Sequence, residues 1–206
     1  MTDQLFLLLW LDRHNRAHRF AQFEKLLRLF PFSQRDQPQS TISIHAVDPT
    51  QPPLLEQPSN GPLDPSDILQ TLRDYQGDDI AYRVETWWDL WQFENGEAEL
   101  RPARVALSCF GPEFDSDTAV GGSRAARTDD QRHEDLRIDF GVDSHFLPNA
   151  DVPASTTLIQ SNIKSLLRLV HEIESVLPVD RRKLETESGE NFADRLQTVL
   201  NAAPTQ

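Results

Sequence analysis

The sequence predicts an α+β protein built on a mixed, mainly antiparallel sheet of about five strands, with helices packed on at least one face. Strand-like and helix-like patterns follow one another in the order β-α-β-α-β-β-β-α-α. An Asn-Gly pair lies between two extended runs, which is typical of a hairpin. The length of 206 residues suits one sizeable core, so we expect residues 1–206 to form a single domain.

The chain opens with a β-α-β pattern. Residues 5–11 are continuously apolar, as in a strand buried on both faces, and residues 41–47 alternate weakly as a second strand. Between them, residues 16–30 predict a helix, because apolar side chains recur at spacings of three and four until Pro31. Prolines concentrate in residues 49–65, which we interpret as an extended surface connection.

An Asn-Gly pair at positions 95 and 96 organises the middle of the chain. Before it, Asp64 and Pro65 supply a cap and a first-turn proline for a short helix that Gly77 ends. Both central residues of a type I′ turn need φ > 0, so Asn-Gly is a strong signal for that turn. It predicts a hairpin over residues 82–109.

The register of this hairpin leaves aromatic side chains on both of its faces. Trp88 lies on one face, with alternate residues from Tyr82 to Leu90. The other face carries two more tryptophans and a phenylalanine, paired with leucine and arginine: Trp87, Trp91, Phe93, Leu100 and Arg104. A half-buried sheet is normally apolar on one face only. The second face is therefore either covered by this chain or docks a partner.

The last part of the chain contains a loop, a strand and two helices. Residues 111–135 are polar and predict a long loop. Residues 136–142 alternate as a half-buried strand, and residues 155–177 form a helix with a regular apolar seam. A last helix covers residues 191–201. We expect the long seam to pack against the Trp88 face of the hairpin.

Composition excludes several classes of function. The net charge of −13 repels nucleic acids and anionic membranes, and attracts basic proteins, although solubility explains that charge equally well. Cys109 is the single cysteine, so no intrachain disulfide can form. The apolar run of residues 5–11 is too short to span a bilayer and follows an acidic residue, which favours a cytoplasmic protein. No phosphate-binding glycine motif is present, and we expect no cofactor.

The first functional hypothesis is a non-catalytic interaction protein. It would be an accessory subunit or an inhibitor that binds a basic protein partner, or a second copy of itself, through the second hairpin face. Trp87 and Trp91 would anchor the interface, and Trp87 opposite Arg104 suggests a cation–π pair. The competing interpretation is that residues 49–65 or the last helix cover these rings.

The alternative is a metal-dependent hydrolase. Asp139, Asp143 and His145 share the same parity along and just beyond one strand, and carboxylates and imidazoles bind divalent cations. Their spacing matches no metal motif, and charged alternation is also typical of the solvated side of a strand. Since we find no catalytic motif, the sequence favours an interaction protein over an enzyme.

Overall fold

An antiparallel sheet organises the computed structural model, which describes residues 3–35, 38–94, 97–114, 133–147 and 155–201. Its strands are β1 (Gln4–Leu11), β2 (Ser40–Ala46), β3 (Leu55–Ser59), β4 (Ile80–Glu94), β5 (Glu97–Phe110), β6 (Leu136–Val142) and β7 (Val179–Thr186). The helices of the described residues are α1 (Arg16–Leu29), α2 (Pro65–Leu72), α3 (Ser155–Val176) and α4 (Phe192–Asn201). The strand order is β3-β2-β4-β5-β6-β1-β7. The α+β class is thus confirmed, but the described residues form a sheet of seven strands rather than about five.

The two strands that the sequence pattern missed are the edge strands of the sheet. β3 lies within the proline-rich connection and contains Pro58, which an edge strand tolerates because only one side of it must pair. β7 carries consecutive basic residues, Arg181 to Lys183, and pairs with β1 on its inner side. Charged edges hinder pairing with other chains. Neither strand needs the apolar alternation by which strands are found in a sequence.

Helix starts follow the capping chemistry of the sequence. Asn15 precedes α1, and its side chain accepts hydrogen bonds from the backbone N–H groups of Ala17 and His18 at 3.0 and 3.2 Å. Asp64 caps α2 by accepting from the N–H of Ser66 at 2.6 Å, with Pro65 in the first turn, as predicted. In the described residues no helix is both long and apolar enough to cross a membrane.

All four helices contribute to one hydrophobic core on one face of the sheet, the helix face. Alternate β1 side chains from Leu5 to Leu11 are fully buried there, whereas Phe6, Leu8 and Trp10 are only partly buried. The prediction that this strand is buried on both faces was wrong, because the helices of the described residues pack on one side of it. The predicted packing of the long seam is confirmed: α3 side chains such as Leu166 share the core with Trp88.

Within the described ranges the other side of the sheet carries no helix and has a small separate cluster, and we call it the helix-free face. The cluster consists of Ala81, Phe110 and Phe114, with the two phenylalanine rings 5.8 Å apart. Phe114 is the last described residue before the gap at 115–132, so most of the predicted 111–135 loop lies outside the described residues.

The β4–β5 hairpin has the predicted register. Trp91 lies opposite Leu100 and Trp87 opposite Arg104, while the Asn-Gly turn lies outside the described residues. The pairing of β4 with β2 ends at Glu85, and that of β5 with β6 ends at Ala106. Residues 86–94 and 97–105 therefore continue past the residues that pair with β2 and β6, and we call them the hairpin arm; an isolated bridge joins Trp88 to Phe32.

Candidate interaction surface and central groove

The hairpin arm brings the five predicted interface residues together on the helix-free face. Trp87, Trp91, Phe93 and Leu100 are each partly exposed, and Arg104 is exposed. The guanidinium of Arg104 forms an ion pair with Glu85. No cation–π contact joins it to Trp87 in the described part of the chain. The surface is thus a row of half-buried rings with a paired arginine at its base.

The arm is held in place from its helix face and along its edge. Asn162 of α3, 2% exposed, accepts from the backbone N–H of Trp91 and donates to its carbonyl, each at 2.9 Å. The N–H of Ser33 donates to the carbonyl of Trp87 at 2.8 Å, and its hydroxyl donates to Asp89 at 2.6 Å. These bonds fix the arm in one position, so binding there loses little conformational freedom.

The two segments named as alternative covers belong to other parts of the sheet, although Pro49, Pro53 and Glu56 line the same groove as Arg104. The connection of residues 49–65 contributes β3, which pairs with β2 and is separated from β4 by that strand. The last helix, α4, packs against β7 at the opposite edge of the sheet. Among the described residues, the rings of the arm therefore keep part of their surface free.

A central groove of about 580 Å³ lies beside the arm on the same face. Its lining comes from β1, β2, β3, β4, β5, β6 and from residues just outside the strands, such as Pro49, Pro53 and Glu187. The groove combines cationic, anionic and aromatic side chains: Arg83, Arg104, Arg137, Glu56, Glu85, Asp139, Glu187, Phe6, Phe110 and Phe114. The sequence pattern gives no sign of this groove, because these residues come from distant parts of the chain and become neighbours only through the strand order.

Arg137 is the most buried charged group of the groove. Its side chain is 9% exposed and forms an ion pair with Glu134, which is 8% exposed. Its guanidinium lies 5.2 Å from the ring centre of Phe110 and 6.0 Å from that of Phe6. The Nε atom is buried and has no hydrogen-bond partner among the described residues. Such a donor is energetically unfavourable until an acceptor reaches it.

The other two arginines share one carboxylate. Arg83 contacts Glu85 at 3.1 Å, and Arg104 contacts the same carboxylate. Burial acts to raise the pKa of Glu85, but the hydrogen bonds and charges of the two arginines outweigh it and lower that pKa. The pKa of His45, on the groove wall, is lowered first by burial and then by the charge of Arg83.

The structure separates the residues of the predicted metal site. A bulge between β1 and β6 and the positive φ of Gly141 (+73°) shift the alternation after Asp139. Asp139 stays on the helix-free face, whereas Asp143 is 3% exposed and accepts from the N–H of Asp3 at 3.1 Å. His145 lies in a 3₁₀ turn, and burial lowers its pKa. No three His, Cys, Asp or Glu side chains cluster as metal ligands within the described ranges.

Cys109 is a packing residue in the structure. Its side chain is fully buried in the main core, and burial raises the pKa of its thiol to about 12. A nucleophilic cysteine needs accessible thiolate at neutral pH. The geometry therefore gives Cys109 no chemical role.

Comparison with protein families, with curated proteins and with solved structures finds no match to this chain.

Proposed function

We propose that the protein is a non-catalytic interaction protein that binds a basic protein partner through the helix-free side of the hairpin arm. The observation that carries this proposal is the arm itself. It continues past the residues that pair with β2 and β6, its Trp88 side is packed in the core, and its Trp91 side keeps aromatic surface free. Tryptophan is enriched among the residues that dominate binding energy at protein interfaces.

The charge distribution supports a basic partner. Along the strands, the helix-free face has equal numbers of basic and acidic side chains: Arg83, Arg104, Arg137, Arg181 and Lys183 against Glu56, Glu85, Asp89, Asp139 and Glu185. The excess of 13 negative charges therefore lies on other surfaces and loops. Long-range attraction would speed the approach of a basic protein, while the strands of the contact face carry equal numbers of charges of both signs. An accessory subunit or an inhibitor of a basic protein in the cytoplasm would have these properties.

The test compares two variants that remove tryptophan rings from different parts of the helix-free face. Trp87→Ala combined with Trp91→Ala removes the anchors of the arm. Trp10→Ala is the matched control, because Trp10 lies on the same face but in β1, where Arg181 covers its ring at 3.9 Å. Circular dichroism should first show that both variants remain folded.

Each protein is then cross-linked in extract of its source cells, and a recovered basic protein is purified for titration calorimetry. We expect the double variant to bind that protein at least about ten-fold more weakly than wild type, and Trp10→Ala to bind normally. Equal affinity of the folded double variant, or recovery of no basic protein by wild type, would contradict the proposal.

A further inference from the structure

We infer that the central groove receives an arginine or lysine side chain from an extended segment of the partner. This inference rests on the proposed function, since it assigns the basic character of the partner to a particular contact. The groove is then a second contact point for the partner, and a basic side chain occupies it. The arm supplies apolar anchors, and the groove supplies recognition of a positive charge.

The charges of the groove favour a cationic occupant. Each of its three arginines already forms an ion pair. Glu85 pairs with Arg83 and Arg104, and Glu134 pairs with Arg137. Glu56, Asp139 and Glu187 also line the groove, and none of them forms an ion pair within the described ranges. Carboxylates thus outnumber arginines, so a ligand cation finds free partners whereas a ligand anion meets arginines that are already paired.

Asp139 is the carboxylate best placed to bind this cation. Its cross-strand neighbours are Ala106 on one side and Phe6 on the other, which places it centrally on the face. One of its oxygens accepts from the N–H of Gly141 at 2.8 Å, and this bond fixes its direction. A carboxylate oriented in this way remains able to accept hydrogen bonds from an ammonium or guanidinium group.

Arg137 indicates that the occupant also brings an acceptor. Its side chain is more than nine-tenths buried in the groove wall, and its Nε–H has no acceptor among the described residues. Arg137 and Asp139 are two residues apart on one side of β6, which places their Cα atoms about 6.6 Å apart along the strand. A lysine stem has about the same length from its Cα to its ammonium. We expect the backbone carbonyl of the basic residue to lie on the Arg137 side of the groove while its charged end binds Asp139.

The groove and the arm form one continuous surface. Arg104 lines the groove and also lies opposite Trp87, the first tryptophan of the arm. A segment that inserts a basic side chain beside Asp139 would therefore continue over the rings of the arm. Because both contacts lie on one face, a single partner can use them together.

The test uses small capped amino acids, so that it does not depend on the arm. The probes are N-acetyl-L-arginine amide and N-acetyl-L-lysine amide, with the norleucine and glutamate analogues as controls for shape and for charge sign. Binding is followed by NMR chemical-shift changes in wild type, Asp139→Asn and Glu24→Gln. The asparagine keeps an oxygen for the Gly141 N–H. Glu24→Gln removes one negative charge from α1, where Glu24 pairs with Arg28 on the helix side.

We expect saturable shifts around Asp139 with the two basic probes, and affinity at least about five-fold weaker in Asp139→Asn but unchanged in Glu24→Gln. Equal binding of the norleucine analogue, stronger binding of the glutamate analogue, or no saturable shift would overturn the inference. If the basic probes do not bind but the tryptophan double variant loses partner binding, the inference about the groove is wrong and the proposed function is retained. Specific probe binding with normal partner binding by that double variant would instead reject the arm and retain the groove.

Discussion

The two sides of the hairpin arm differ in burial although they share the same strands and the same residue types. Trp88 is 4% exposed and packs against Phe30 and Phe140, with ring centres 5.9 and 5.8 Å away. Trp87 and Trp91, one and three positions away, remain partly exposed. The difference follows from the layers: α1 and α3 supply partners to one side of the sheet only. Position relative to the helices, and not hydrophobicity, decides which ring becomes core.

We expect the greatest difference in the free energy of unfolding between Trp88→Ala and Trp91→Ala. Trp88→Ala should lower the free energy of unfolding by about 3–5 kcal/mol, because it removes a buried ring from a packed aromatic cluster. Trp91→Ala should lower it by about 1 kcal/mol or less, since this ring is only partly buried. Urea denaturation measures both values. Similar losses for the two variants would show that the two sides of the arm do not differ as described.

An intermediate effect on the free energy of unfolding is expected from Asn162, whose side chain on α3 binds the backbone of Trp91. Asn162→Ala leaves the N–H and carbonyl of Trp91 without their α3 partner, which should lower the free energy of unfolding by about 1–3 kcal/mol. Ser161→Ala, at an exposed position of the same helix, is the control.

Hydrogen–deuterium exchange gives the second readout for Asn162. The amide of Trp91 should exchange faster in Asn162→Ala than in wild type and should be unchanged in Ser161→Ala. Unchanged protection in Asn162→Ala would mean that this bond does not hold the arm.

The smallest expected effect concerns two histidines. The pKa values of both His45 and His145 lie below the ordinary 6.5 because of burial, and the charge of Arg83 lowers that of His45 further. The unfolded chain then binds protons more readily at both positions, so the free energy of unfolding should decrease as the pH falls below about 6.5.

NMR titration of the histidine rings separates the two causes. Arg83→Gln should raise the pKa of His45 and leave that of His145 unchanged, because Arg83 acts only on His45. An equal shift of both histidines, or of neither, would contradict this assignment.

Much of the hairpin could be predicted from local sequence. The register from Tyr82 to Cys109 agrees with the alternation of the two strands, because a shift by one residue would move every buried side chain to the wrong face. Alternation does not continue through a bulge. Gly141 shifts the pattern, so equal parity in the sequence did not place Asp139 and Asp143 on one face.

The class of fold, the core helices and the pairing of the hairpin could be predicted from the chain alone, because these depend on side-chain periodicity and turn chemistry over short distances. The edge strands β3 and β7, the side of the sheet on which the helices pack, and the groove became known from the three-dimensional arrangement. The physical reason is that a strand at an edge is fixed by backbone bonds to its neighbour, and a groove by side chains that strand order brings together. Neither kind of contact produces a periodic pattern of side chains in the sequence.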